Sequence, residues 1–218
     1  MSKRKISQQQ QRRITTKQAT LLTSEELSGL VIAHHGQSLE VEDANGAVII
    51  CKKRQHLGPI VPGDRVKWQS DPNVQPDAKA TGIVAAIEPR TSLLSRPDTR
   101  DNLHAVAANV DQLFIIIAPT PAPNLTTIDR YLIAALEQNI DAILVLNKED
   151  LLPNVPQQQK LKELLHTYDQ IGVPALIVSA KKLQHLDLIR AKMTNKTSVF
   201  VGQSGVGKSS IIEALVPD

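Results

Sequence analysis

Residues 202–209 read Gly202-Gln203-Ser204-Gly205-Val206-Gly207-Lys208-Ser209. They fit the string G-x-x-x-x-G-K-[ST] without a mismatch. Such a loop binds phosphate only between a strand and a helix, so it dictates its own surroundings. The apolar run Ser198–Val201 supplies the strand, and the helix-forming stretch Ser210–Val216 supplies the helix. The glycines let backbone N–H groups turn inward around phosphate oxygens. Lys208 then reaches the β- and γ-phosphates, the Ser209 hydroxyl holds Mg²⁺, and the helix start at Ser210 adds its dipole. A chance glycine-rich turn is the alternative, and eight matching positions with these flanks argue against it.

The preceding hundred residues carry the rhythm such a loop needs. Gln112–Ala118 is a buried-strand run, with Phe114-Ile115-Ile116-Ile117 at its centre. A loop with three prolines follows. Thr126 or Thr127 can cap a helix through Glu137 that turns Ile128, Leu132, Ala135 and Leu136 to one face. Strands at Ala142–Leu146, Ala175–Val178 and Ser198–Val201 alternate with helices at Pro156–Gln170 and Leu186–Met193. That alternation predicts a parallel sheet with helices on its faces.

Two further strings sit at strand ends. Asn147-Lys148-Glu149-Asp150 follows Ala142–Leu146, and Ser179-Ala180-Lys181 follows Ala175–Val178. Asp150 can accept from the N1–H and exocyclic amine of guanine, a donor pair that adenine lacks. Asn147 can bond the base edge near O6 and N7, the Lys148 stem can cover the ring, and the Ala180 N–H can donate to O6. Alone, each string also reads as a polar loop after a strand. Together they place three loops at the carboxyl ends of strands, where open α/β sheets bind ligands. Their order is unusual. In most GTPases the phosphate loop comes first, whereas here Asn147 precedes Gly202. The reading is a circularly permuted P-loop GTPase domain. An ATP-specific phosphate-loop enzyme is a competing reading that Asp150 opposes.

The N-terminal part has a different texture. From residue 29 to about 95, short alternating strands occur at Leu30–Ala33, Ser38–Glu42, Ala47–Cys51, Arg65–Trp68 and Thr81–Ile87. Asn45-Gly46 is a hairpin signal, and Asp71–Lys79 is a polar loop. Five strands in so short a span predict a small barrel of the OB type, with a sandwich or SH3-like barrel as alternatives. The expected organisation is a basic tail over 1–28, a barrel over 29–98 and the permuted domain over 99–218. The boundary is drawn in the polar stretch Arg96–His104. The first 20 residues hold Lys3, Arg4, Lys5, Arg12, Arg13 and Lys17 and no acid, against a net charge of +3 for the whole chain. The tail is either an arm for nucleic-acid phosphates or a solubilising segment. Lys52, Lys53 and Arg54 can touch phosphates or simply be solvated. His34 and His35 at a strand end are a weak metal candidate. Cys51 is the single cysteine, so neither an internal disulfide nor a multi-cysteine zinc site is available. No apolar run is long enough to span a bilayer. A cytoplasmic protein is expected.

With these residues in hand, the chain resembles the ribosome small-subunit-dependent GTPase A family from about Gly29 to Asp218. The resemblance includes Pro62-Gly63-Asp64, Arg90 with Leu94, Arg96 and Pro97, then Asn109-Val110-Asp111, Asp129-Arg130-Tyr131 and the three strings above. It implies GTP or GDP with Mg²⁺ as cofactor, and the small ribosomal subunit and ribosomal RNA as partners. It also implies no membrane partner, a monomeric state and GTP hydrolysis late in subunit assembly. Family members continue past the phosphate loop with a switch threonine, a D-x-x-G segment and a Cys/His zinc module. The chain is therefore expected to be the N-terminal portion of a longer protein, with an incomplete GTPase domain. The catalytic residue and Zn²⁺ are expected in the missing segment, and efficient hydrolysis is not expected of this portion. The competing functions are an RNA-binding module with a vestigial nucleotide site and a permuted GTPase of large-subunit assembly.

Overall fold

The computed structural model describes residues 26–36, 38–71, 81–97 and 102–216. Residues 1–25 of the expected tail and 72–80 of the polar loop lie outside them. The chain divides into two units, Met1–Pro89 and Arg90–Asp218.

In the first unit, alternation builds a barrel. Its strands are β1 (Leu27–His35), β2 (Ser38–Asp43), β3 (Val48–Lys53), β4 (Arg65–Ser70) and β5 (Gly82–Ile87). They close in the order β1-β2-β3-β5-β4, with β3 and β5 parallel and the other pairs antiparallel. Val31, Leu39, Val41, Cys51, Val66, Trp68 and Val84 point inward and are buried with Ile60. Closure removes the unpaired edges that an open five-stranded sheet would expose. This is the expected OB-type barrel. His34 and His35 are the last two residues of β1, the strand end expected for them. The Asn45-Gly46 turn is held by Asp43, whose Oδ1 accepts from the N–H groups of Asn45 and Ala47, each at 2.8 Å.

The second unit begins earlier than expected. β6 (Leu93–Pro97) and β7 (Leu103–Ala108) form an antiparallel hairpin that sequence reading missed. Leu94 is buried in the core of this unit, and the Ser92 hydroxyl donates to the Val110 carbonyl at 2.8 Å. The boundary expected between 98 and 99 is therefore corrected. The polar stretch from Arg96 to His104 joins two hairpin strands of the second unit.

The parallel sheet consists of β8 (Gln112–Ile117), β9 (Asp141–Leu146), β10 (Ala175–Ile177) and β11 (Ser198–Val201), in the order β10-β9-β8-β11. Helices α1 (Leu125–Glu137), α2 (Gln158–Gln170), α3 (Leu186–Met193) and α4 (Lys208–Leu215) connect or follow them, with a 3-10 helix over Glu149–Asn154. Successive β8 side chains enter opposite cores. Leu113, Ile115 and Ile117 pack with Ile128 of α1 and Leu161, Leu165 and Tyr168 of α2. Phe114 and Ile116 pack with Ile189 of α3 and Ile211 of α4. Both faces of the sheet are covered, which is why β8 reads as a continuous apolar run. Two local readings are corrected. The cap of α1 is Asn124, whose Oδ1 accepts from the Thr127 N–H at 3.1 Å, not Thr126 or Thr127. Leu136 faces solvent, at 78% exposure.

Candidate guanine-nucleotide site

From β8 the chain steps through β9 to β10 on one side, whereas β11 lies on the other. The strand order reverses beside β8, and such reversals open a crevice at the carboxyl ends of the strands. All three expected loops emerge at that end.

The phosphate loop leaves β11 at Gly202, whose φ is +142°. A Cβ there would run into the Ile116 carbonyl oxygen of β8. The loop enters α4 at Gly207, with φ of +93°, where a Cβ would run into the Asn147 side-chain amide. Both positions require glycine, one because of the neighbouring strand and the other because of the second loop. Between them Val206 is buried as the loop's anchor, while Ser204 and Gly205 are exposed. The Lys208 Nζ lies across the loop and donates to the carbonyls of Gly202 at 2.9 Å and Gln203 at 2.8 Å. Ser209 and Ser210 are exposed at the start of α4.

Asn147 ties the three loops together. It is 2% exposed, its Nδ2 donates to the Val206 carbonyl at 3.0 Å, and its Oδ1 accepts from the Ala180 N–H at 3.1 Å. The Ala180 N–H, expected to meet a guanine O6, is bonded to Asn147 instead. Lys148 adopts φ of +63°, and its Nζ donates to the carbonyls of Thr120 at 2.8 Å and Gly205 at 2.7 Å. Its stem thus crosses from the second loop to the phosphate loop, and its head also fastens the proline-rich loop after β8. The Ser179 hydroxyl donates to Asp150 Oδ1 at 2.6 Å. This bond fixes the orientation of the carboxylate through Oδ1. Glu149 Oε2 lies 3.0 Å from His185 Nδ1, beyond the Lys181 turn.

An open cleft of about 700 Å³ lies among these loops, within the usual range for small-ligand sites. Asn147, Lys148, Asp150, Ala180, Lys181 and Gly207 line it, together with Ser210 and Glu213 of α4. Glu213 was missed by sequence reading. Its spacing of three from Ser210 puts both on one helix face and was the available signal. The cleft offers the Lys148 and Lys181 side chains and the Ser210 hydroxyl, together with the Asp150 carboxylate that Ser179 holds. His34 and His35 lie in the other unit, bonded to the Gly36 carbonyl and Glu40 respectively, and no group of three metal-ligating residues occurs among the described residues.

A doubly wound sheet with its phosphate loop last and its N-K-x-D loop ahead of it is a circularly permuted P-loop GTPase domain. The sequence profile of the RsgA GTPase family matches residues 87–218. A protein of Proteus mirabilis named small ribosomal subunit biogenesis GTPase RsgA is 37% identical over 232 residues, covering 100% of this chain and 66% of that protein. The crystal structure of YjeQ from Thermotoga maritima superposes with a TM-score of 0.69 at 30% identity, covering 88% of this chain and 66% of that one. YloQ, described as a circularly permuted GTPase, gives 0.63 at 26%, covering 87% of this chain and 64% of that one. The chain belongs to the RsgA GTPase family. It spans about two thirds of the length of the relatives it matches.

Proposed function

We propose that this protein binds GTP and GDP with Mg²⁺ and acts as a GTP-hydrolysing assembly factor of the small ribosomal subunit. The observation that carries the reading is the Asn147 hub, which holds the phosphate loop, the Asp150 loop and the Ala180 loop around one cleft. In this reading Asp150 accepts the guanine N1–H and amine, oriented by the Ser179 hydroxyl. The Lys148 stem covers the base, and Glu149 and Lys181 flank it. Gly202, Gln203, Ser204, Gly205, Val206 and Gly207 present N–H groups to the phosphates. Lys208 turns from the loop carbonyls to the β- and γ-phosphates, and Ser210 continues the helix end. Gly202, Gly205 and Gly207 all adopt positive φ, and a backbone turned in this way is the kind of cradle that fits phosphate. Ser209 is exposed beside that cradle, where its hydroxyl would hold Mg²⁺. Bound there, the ion would neutralise phosphate charge. Relatives named for small-subunit biogenesis support the partner, and the barrel and basic tail supply surfaces for ribosomal RNA.

Titrating GDP and ADP by calorimetry tests the nucleotide half. GDP should bind well and ADP weakly, and equal affinities would sink the guanine assignment. The RNA half is tested by subunit binding at several salt concentrations. Deleting residues 1–20 should reduce the slope of log affinity against log salt by roughly 2–4, if three or four of the six cations meet phosphates. An unchanged slope would leave the tail a solubilising segment. Nucleotide affinity should be the same with and without it.

A further inference from the structure

The loop after β10 presents Ala180 and Lys181 to the cleft, and it is fastened at both ends by neighbouring acids. At its start the Ser179 hydroxyl donates to Asp150. At its end His185 Nδ1 meets Glu149 Oε2 at 3.0 Å. Between these ties the backbone folds back on itself. Ser179 and Gln184 exchange both backbone hydrogen bonds, and Leu183 and His185 adopt φ of +55° and +60°. A left-handed histidine is uncommon and costs backbone energy that glycine would not. The position thus carries an imidazole where the backbone alone favours glycine, and that imidazole lies on the residue next to Asp150.

We infer that Glu149 and His185 are a positioning pair for the guanine site, closing the far end of the loop that carries Lys181 so that the Asp150 side of the cleft is preformed. The inference rests on the nucleotide reading above. Both side chains are partly exposed, at 32% for Glu149 and 55% for His185, so the expected effect is modest. An exposed pair of this kind translates into about a two- to fivefold change in affinity.

The test uses three single variants and one double variant, with GDP titrated by calorimetry and thermal unfolding measured alongside. His185→Gly removes the imidazole while relieving the backbone, so the unfolding midpoint should hold or rise while GDP affinity falls about two- to fivefold. His185→Asn tolerates the same φ and places a donor on the same branch atom, so it should restore most of the affinity. Glu149→Ala should lose as much as His185→Gly, and the two together should lose no more than either alone. Wild-type GDP affinity in His185→Gly, or additive losses in the double variant, would overturn the pair while leaving the nucleotide reading intact. A wild-type protein that fails to bind GDP, or binds it independently of Asp150, would overturn both.

Discussion

The two units bury their interiors in different ways, and the difference decides where chemistry can sit. In the barrel, β4 reads Arg65-Val66-Lys67-Trp68-Gln69-Ser70, with Val66 and Trp68 buried and Arg65 exposed. Each strand there has one inner face and one outer face, and the outer face is free to be charged. In the sheet, β8 is buried at every position from Gln112 to Ile117. No β8 face is left for a ligand, so the functional groups of that unit come from the loops at the strand ends. The barrel offers a broad surface with Lys52, Lys53 and Arg65 exposed, whereas the sheet gathers its candidate groups in a cleft at the strand ends.

The largest expected effect breaks one interior and spares the other. Leu144 is fully buried in β9 of the sheet, and Leu39 is 1% exposed in the barrel. Truncating either to alanine should cost about 2–5 kcal/mol of its own unit's stability. The probes separate the units. Trp68, the chain's single tryptophan, lies in the barrel core, so its fluorescence reads that unit. Helices α1 to α4 all lie in the other unit, so far-UV circular dichroism weighted to helix reads the sheet. Leu144→Ala should shift the helical transition and lower GDP affinity, and Leu39→Ala should shift the tryptophan transition. Identical shifts of both probes in both variants would mean that the division at Pro89 has no energetic counterpart.

A smaller effect sharpens the same contrast within the crevice. Asp150→Asn should weaken GDP roughly 10–100-fold, because an amide in place of the carboxylate disturbs the paired acceptor. Xanthosine diphosphate should gain, since its base edge offers an acceptor where guanine offers a donor. Leu39→Ala, acting in the barrel, should leave both affinities unchanged. GDP affinity unmoved by Asp150→Asn would show that the carboxylate does not face the base.

How much of this was legible depended on how local each signal was. The strands β8, β9 and β11 and helix α3 followed from apolar runs and periodicity, and the three site loops from short strings at strand ends. The hairpin β6–β7 was not legible. Arg96, Pro97 and His104 interrupt its apolar pattern, and the residues it buries, Leu94 and Ala108, stand at opposite ends of the stretch. Nor was the Asn147 hub, because its partners Val206 and Ala180 are remote in sequence. Lys148 was read only as a cover for the base. Its bonds to Thr120 and Gly205 join three loops that no local pattern relates. The cap of α1 was misplaced because threonines at 126 and 127 mimic a cap that Asn124 already supplies.

The smallest effects set the two units at opposite ends of the pH scale. In the barrel, the backbone N–H groups of Ala47 and then Asn45 hold the Asp43 carboxyl below its ordinary value of 3.8. A group whose value is lowered by folding stabilises the fold above its unfolded value, and the contribution disappears as pH falls through the folded one. The hairpin turn should therefore weaken below about pH 4, a window set by that ordinary value. In the sheet unit, burial and then the bond to Asp129 push the Tyr168 phenol from 10.0 to about 12. Its hydroxyl donates to Asp129 Oδ1 at 2.8 Å and ties α2 to α1. A raised value works in the other direction. The tie contributes fully below pH 10 and is lost as pH rises toward 12. Unfolding followed by tryptophan fluorescence from pH 5 down to about 2.5 should fall less steeply in Asp43→Asn than in the wild type, because asparagine accepts the same bonds without titrating. Circular dichroism from about pH 9 to 12 should show a flatter alkaline loss in Tyr168→Phe, which keeps the ring and removes the proton. An acid slope unchanged by Asp43→Asn would assign the barrel's acid sensitivity to other carboxylates. An alkaline slope unchanged by Tyr168→Phe would mean that the two helices are held by packing alone.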